Sequence, residues 1–377
     1  MKTTQSICLL LIVAILAGCS INISEATPPP TAAESTPTSL PAPTVTHSLA
    51  ATEAPPPTAA STPTAAGTPL PWAEFNLAGR LVFTQGAQGI ASLDLVSGEL
   101  RTLYLPAENA LVRAASVSPD GKQIVVALAP PPPAGQAQLS LTDLYLVPAD
   151  GSAPPLPLLL RTQPQEVYSF PAWSPDGRYI YYGHFVTILT GGAPEFKYTL
   201  ERLPYPGGQP EVIVENAFWP QLSPDGSKLA YVSFEPATQV NELYLAEADG
   251  TNPARMLPPA AFEAVDSPLF SPDGSALIFS AVGEGPPTAL SWLDRLLGVR
   301  IARAHDVPSD FWSVATAGGV RKRLTRIQDI GLHGDFSPDG KYIAFLTVTG
   351  IFLMSPDGAG LFSLSDAGAA GTLEWIP

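Results

Sequence analysis

Ser174-Pro-Asp-Gly-Arg-Tyr-Ile-Tyr-Tyr-Gly-His-Phe185 combines a turn and a strand in twelve residues. Proline presets φ for the first corner of a tight turn. Serine and aspartate bind nearby backbone groups, and glycine takes the left-handed conformation that sends the chain back. An apolar strand pattern follows the turn and another, Tyr168 to Trp173, precedes it, so the unit reads as a β-hairpin. The same tetrapeptide stands at Ser118–Gly121, Ser223–Gly226, Ser271–Gly274 and Ser337–Gly340, each time followed by an alternating apolar segment. Successive starts lie 56, 49, 48 and 66 residues apart, a period that suits propeller blades.

Each of these hairpins is followed by a second one. Its turns are Ser97-Gly98, Asp150-Gly151, Gly207-Gly208, Asp249-Gly250, Gly318-Gly319 and Asp357-Gly358, each preceded by a short strand such as Leu243-Tyr-Leu-Ala. Asp-Gly and Gly-Gly between β-forming residues are strong hairpin signals. Two hairpins per period make a four-stranded antiparallel sheet. Five turns of the first kind stand against six of the second. The first unit, from Leu81, therefore lacks an innermost strand, and Leu373-Glu374-Trp375 near the chain's end matches Pro171-Ala172-Trp173. The expectation is an all-β chain: a six-bladed β-propeller of four-stranded antiparallel blades over residues 73–377, its ring closed by the C-terminal strand. Closure would hide an edge that an open stack of sheets exposes.

The recurring Ser-Pro-Asp-Gly-x-x-apolar unit, with Leu-Tyr-Leu and Ala-Asp-Gly after it, resembles the WD-repeat-like propellers of the TolB family. The resemblance covers about Leu77 to Pro377. It implies the propeller fold, and it is shared with the propellers of prolyl-oligopeptidase-type enzymes. This chain shows no counterpart of TolB's N-terminal α/β domain.

The N-terminus reads as an export signal: Lys2, an apolar run from Ile7 to Leu16, then Leu16-Ala17-Gly18-Cys19. The run is too short to span a bilayer. Its end resembles the bacterial lipoprotein cleavage box, which implies a signal peptide over 1–18 and lipidation of Cys19. The expected location is extracytoplasmic, anchored to the membrane by lipid at the cell surface or in the periplasm. Cys8 lies within the signal, so the mature body has no thiol for a disulfide, a nucleophile or a metal site. Residues 19–72 are dominated by Thr, Pro, Ala and Ser, as in Thr27-Pro-Pro-Pro-Thr-Ala-Ala, and cannot offset ordering entropy by burial. A disordered linker is expected there, a stalk that favours extended polyproline II.

Composition bounds the partners. With 34 Asp+Glu against 19 Lys+Arg the formal net charge is -15, which argues against nucleic acid. The sequence has no G-x-S-x-G elbow, H-E-x-x-H helix, P-loop or G-x-G-x-x-G. His47 lies in the stalk, leaving His184, His305 and His333 in the body. The repeated Asp120, Asp176, Asp225, Asp273 and Asp339 occupy equivalent turn positions, where capping accounts for them. No catalytic residue, metal ligand or cofactor is expected.

One insertion breaks the period. Over about 283–308, Leu290, Leu293, Leu296 and Leu297 follow helical spacing, with Trp292 near the start. Arg300, Arg303, Arg321, Lys322, Arg323 and Arg326 lie on it or just after it and suggest a basic flank for a partner. Propellers bind ligands at the channel mouth, where the loops between blades converge. By that analogy of fold, candidate binding residues are Tyr168, His184, Trp219, Asp266, Trp292, His305 and His333. The reading is a non-catalytic, lipid-anchored propeller that binds an envelope protein or a glycan. The alternatives are a hydrolase or lyase with a channel-mouth active site, and a ligand sensor coupled to a membrane partner.

Overall fold

A computed structural model describes residues 70–137, 140–188, 195–235, 240–285, 305 and 307–377. They form six four-stranded antiparallel sheets. The inner strands of blades 2 to 6 are Leu111–Val117, Glu166–Trp173, Ala217–Leu222, Phe262–Phe270 and His333–Phe336. Blade 1 takes its inner strand, Leu373–Ile376, from the chain's other end and pairs it with Arg80–Thr84, Leu81 facing Trp375 and Val82 facing Glu374. Signal peptide, Cys19 and most of the stalk lie outside the described residues. So do Trp292, Arg300, Arg303 and the centre of the insertion at 283–308.

The turns explain the repeat. In each one the serine Oγ donates to the aspartate Oδ1 and accepts the N–H of the residue five positions on, Ser174 at 2.7 and 2.9 Å and Ser271 at 2.6 and 3.0 Å. The aspartate also accepts the amide just after the glycine. The serine hydroxyl is the main cause that holds Asp120, Asp176, Asp225 and Asp273 below the usual carboxylate range; for Asp339 it is Lys341. The tetrapeptide also stands at Ser355–Gly358, on the turn between the third and fourth strands of blade 6, with the same Ser–Asp contact. It therefore encodes a turn and not a position within the blade.

Packing joins the blades. Apolar clusters lie at every junction, for example Phe218, Leu243, Phe262, Phe279 and Trp312 between blades 4 and 5. Leu81, Phe83, Leu346, Leu353 and Trp375 unite blades 1 and 6. Each fully buried Leu, Ile or Phe contributes on the order of 1.5–3 kcal/mol, so neighbouring blades stabilise one another. Because the inner strands run in parallel around one axis, the five turns that follow them share one end of the channel, here called the turn face.

The closing strand is held sideways as well as by its ladder. On the blade 6 side, the N–H of Leu373 donates to His333 Nδ1 at 3.1 Å and that of Trp375 to Asp335 Oδ2 at 2.9 Å. On the blade 2 side, Thr372 Oγ1 accepts from Ala115 N at 2.8 Å and donates to Ala115 O at 2.9 Å. Glu374 accepts the N–H of Val117 at 2.7 Å.

Candidate functional site: the channel and its two histidine clusters

All six inner strands meet at a cavity of about 160 Å³ toward the turn face. Residues two positions before each turn serine, Ser116, Ala172, Gln221, Leu269 and Asp335, line it together with the equivalent Glu374. In blades 3, 4 and 5 the strand first bulges at Phe170-Pro171, Trp219-Pro220 and Ser267-Pro268. Phe170, Trp219 and Ser267 have left-handed φ of 48°, 55° and 49°, a conformation that costs non-glycine residues about 1–3 kcal/mol. Proline cannot donate to the ladder, so strands carry it at bulges, and a bulge re-aims side chains. Here Phe170 and Trp219 stack with ring centroids 3.4 Å apart.

His305 and His333 complete that aromatic group. Trp219 lies 5.2 Å from the ring of His305 and 6.0 Å from that of His333. Burial pushes His305 down to about 4, aided by Arg113, and His333 down to about 3, aided by His305. Both imidazoles are neutral at physiological pH. Burial raises two carboxyls in the cavity: Asp335 to about 6, and Glu374 to about 8 with Asp335 adding to the effect.

His184 belongs to a different cluster. Its Nε2 meets Glu166 Oε1 at 2.7 Å and its Nδ1 meets Glu201 Oε1 at 2.8 Å. Glu166 also accepts the N–H groups of Thr162 and Gln163 and the Tyr168 hydroxyl. Glu201 accepts from Thr199 and Tyr182. Burial disfavours charge on His184, but the two carboxylates overcome it and hold the imidazole above its ordinary pKa. Burial likewise works to raise both carboxyls, and the bonds they accept outweigh it and hold them low. An imidazolium with both nitrogens committed to carboxylates has no lone pair to serve as a base. The three body histidines thus fall into two groups, and neither contains a nucleophile–base pair of the triad kind.

The structure buries the remaining candidates among the described residues. Tyr168 touches His184 at 4.8 Å between ring centroids and is 4% exposed, while Asp266 is 1% exposed. Trp219 and His305 are also buried, and Trp219, like His333, lines the channel cavity. Of the flank's basic residues, Arg300 and Arg303 lie outside the described residues, and Arg326 is exposed. Arg323 pairs with Asp310 at 2.6 Å, Arg321 with Glu284 at 3.3 Å, and Lys322 donates to the carbonyl of Asp357. Asp335, Glu374, Glu166 and Glu201 were not singled out by the sequence. For the first two the signal was alignment to the turn serines, since blades 2 to 5 carry serine, alanine, glutamine and leucine there.

No protein-family model matches the sequence, and no curated protein matches it. Solved structures do. A protein from Agrobacterium tumefaciens described as a TolB aligns with a TM-score of 0.51 at 19% identity, over 79% of this chain and 98% of its own. TolB from Acinetobacter baumannii gives 0.53 at 15% identity, over 79% of this chain and 67% of its own. A chain of the nidogen/laminin complex gives 0.55 at 14% identity, over 78% and 97%. The fold is a six-bladed propeller of the TolB-like type. At these identities the likeness establishes the fold alone.

Proposed function

We propose that the protein is a non-catalytic binding module of the cell envelope, lipid-anchored through Cys19, raised on a stalk that ends before Leu70 and Trp72, which pack on the propeller, and engaging a protein or glycan partner at the turn-face mouth of its channel. The observation that carries this reading is the cavity to which all six inner strands contribute, lined by Gln221, Asp335 and Glu374. Such a site recognises a hydrogen-bonding or cationic group presented by a larger partner. The occupied nitrogens of His184, the Leu373 N–H donated to His333 Nδ1 and the burial of His305 favour binding over hydrolysis or lyase chemistry. No helix among the described residues is long and apolar enough to cross a membrane.

Photocrosslinking in the producing cell tests the reading, with a photoreactive residue at position 119 on the cavity wall. A discrete adduct, abolished by Gln221→Trp, is expected. No adduct, or one indifferent to Gln221→Trp, would refute channel binding. Separately, Cys19→Ser should move the protein from the detergent fraction to the aqueous one; retention in detergent would refute the anchor.

A further inference from the structure

The channel cavity holds acid without a counter-charge. Asp335 and Glu374 line it from neighbouring inner strands, in blades 6 and 1. Backbone groups fix both carboxyls. Asp335 accepts the N–H of Phe336 on Oδ1 at 2.8 Å and that of Trp375 on Oδ2 at 2.9 Å, and Glu374 accepts that of Val117 at 2.7 Å. No Lys or Arg lines the cavity, and no cation acts on either carboxyl. His333, the other titratable group of the lining, is neutral and accepts the N–H of Leu373. Blades 3, 4 and 5 contribute no charged side chain to the wall; they supply Phe170, Trp219, Pro220, Pro268 and Leu269 with Gln221.

A buried carboxylate without a counter-charge is costly, and a proton can relieve the cost in place of a cation. With Asp335 near 6 and Glu374 near 8, the pair carries about one proton at pH 7. An entering cation would displace that proton to solvent. The apolar wall strengthens such an ion pair by lowering the local dielectric.

We propose that the cavity takes the side chain of a lysine presented by a protein partner, its ammonium on Asp335 and Glu374 and its methylene stem along Pro220, Pro268 and Leu269. The assignment rests on the reading of the channel as the binding site and names what enters it. Three features select the occupant. The two carboxyls stand on different strands, which suits the diverging donors of an ammonium better than the flat fork of a guanidinium. A volume of about 160 Å³ accommodates one side chain, not a folded segment. The prolines and Leu269 match a methylene stem, whereas the hydroxyls of an amino sugar would lie there unpaired.

Saturation-transfer NMR titrations of the full chain test this with four probes: Nα-acetyl-lysine methylamide, its arginine and norleucine counterparts, and glucosamine. The lysine probe should bind about tenfold or more tightly than each of the others. Its affinity should rise by up to about tenfold from pH 7 to 8.5, as Glu374 gives up its proton. Glu374→Gln keeps an acceptor for the Val117 N–H, and it should weaken the lysine probe about tenfold at pH 8.5 and flatten the pH response. Gln221→Trp should block the probe from another blade. Equal binding of any other probe, an affinity that does not rise with pH, or variants that bind like the wild type would overturn the lysine assignment. If the lysine probe fails while the position 119 adduct still forms and responds to Gln221→Trp, the assignment falls and the channel reading stands. If both fail, both fall.

Discussion

Replacing His184 with alanine should destabilise blade 3 by about 3 kcal/mol, the lower end of the 3–5 kcal/mol typical for breaking a buried ion pair. The side chains of Glu166 and Glu201 are 3% and 10% exposed, and that of His184 is 18% exposed. Without the imidazolium, two carboxylates face each other with no counter-charge. The lower end applies because both keep other donors: Thr162, Gln163 and Tyr168 for Glu166, and Thr199 and Tyr182 for Glu201. At about 2–4 °C per kcal/mol for large domains, the midpoint should fall by roughly 6 °C or more. The pH profile gives a sharper signature. The folded-state pKa of His184 is raised, so its contribution is complete below about 6.5 and fades as pH rises through the folded value. The pKa values of Glu166 and Glu201 are lowered, so theirs is complete above about 4.5 and fades as pH falls through the folded values. Calorimetry of wild type and variant from pH 4 to 9 should show the largest gap between about pH 4.5 and 6.5, shrinking at alkaline pH. A gap under 2 °C at pH 6, or one that persists unchanged to pH 9, would refute the ion-triad reasoning.

Glu374→Gln should flatten the alkaline side of the stability curve. The folded carboxyl is raised to about 8, so the wild type loses stability as pH climbs through that value, while the amide does not titrate. Urea midpoints that coincide at pH 4.5 and favour the variant at pH 8.5 are expected. Thr372→Val leaves the N–H and carbonyl of Ala115 without their side-chain partner, at a cost of about 1–3 kcal/mol. Hydrogen exchange at Ala115 should accelerate accordingly, and unchanged protection would count against the lateral clasp. Trp219→Ala removes the stack on Phe170 and should cost about 3 kcal/mol, the lower end for large-to-small changes of an aromatic residue, with the β-carbon and its left-handed strain left in place. Chemical denaturation measures it; a loss under 1 kcal/mol would show that the stack is dispensable.

Where the sequence was silent, the reason is geometric. Pro171, Pro220 and Pro268 stand three residues before a turn serine and could have been read as bulges. That the bulges bring Phe170 and Trp219 face to face depends on the ring's curvature, which no local pattern records. Glu166, His184 and Glu201 lie on three adjacent strands of one blade. Their register places them in contact, yet nothing in their spacing along the chain announces it. Sequence shows the charge of Arg321 and Arg323 but not the Glu284 and Asp310 with which they pair.

By itself the sequence determined the blade, the number of blades and the closing strand, since turn chemistry and period-2 alternation are local properties repeated at a fixed interval. Only the tertiary structure decided which polar groups are buried and paired, and that the channel residues aligned with Asp335 and Glu374 form one cavity. Those outcomes follow from bringing residues hundreds of positions apart around a common axis, where burial and proximity, not residue type, set the chemistry.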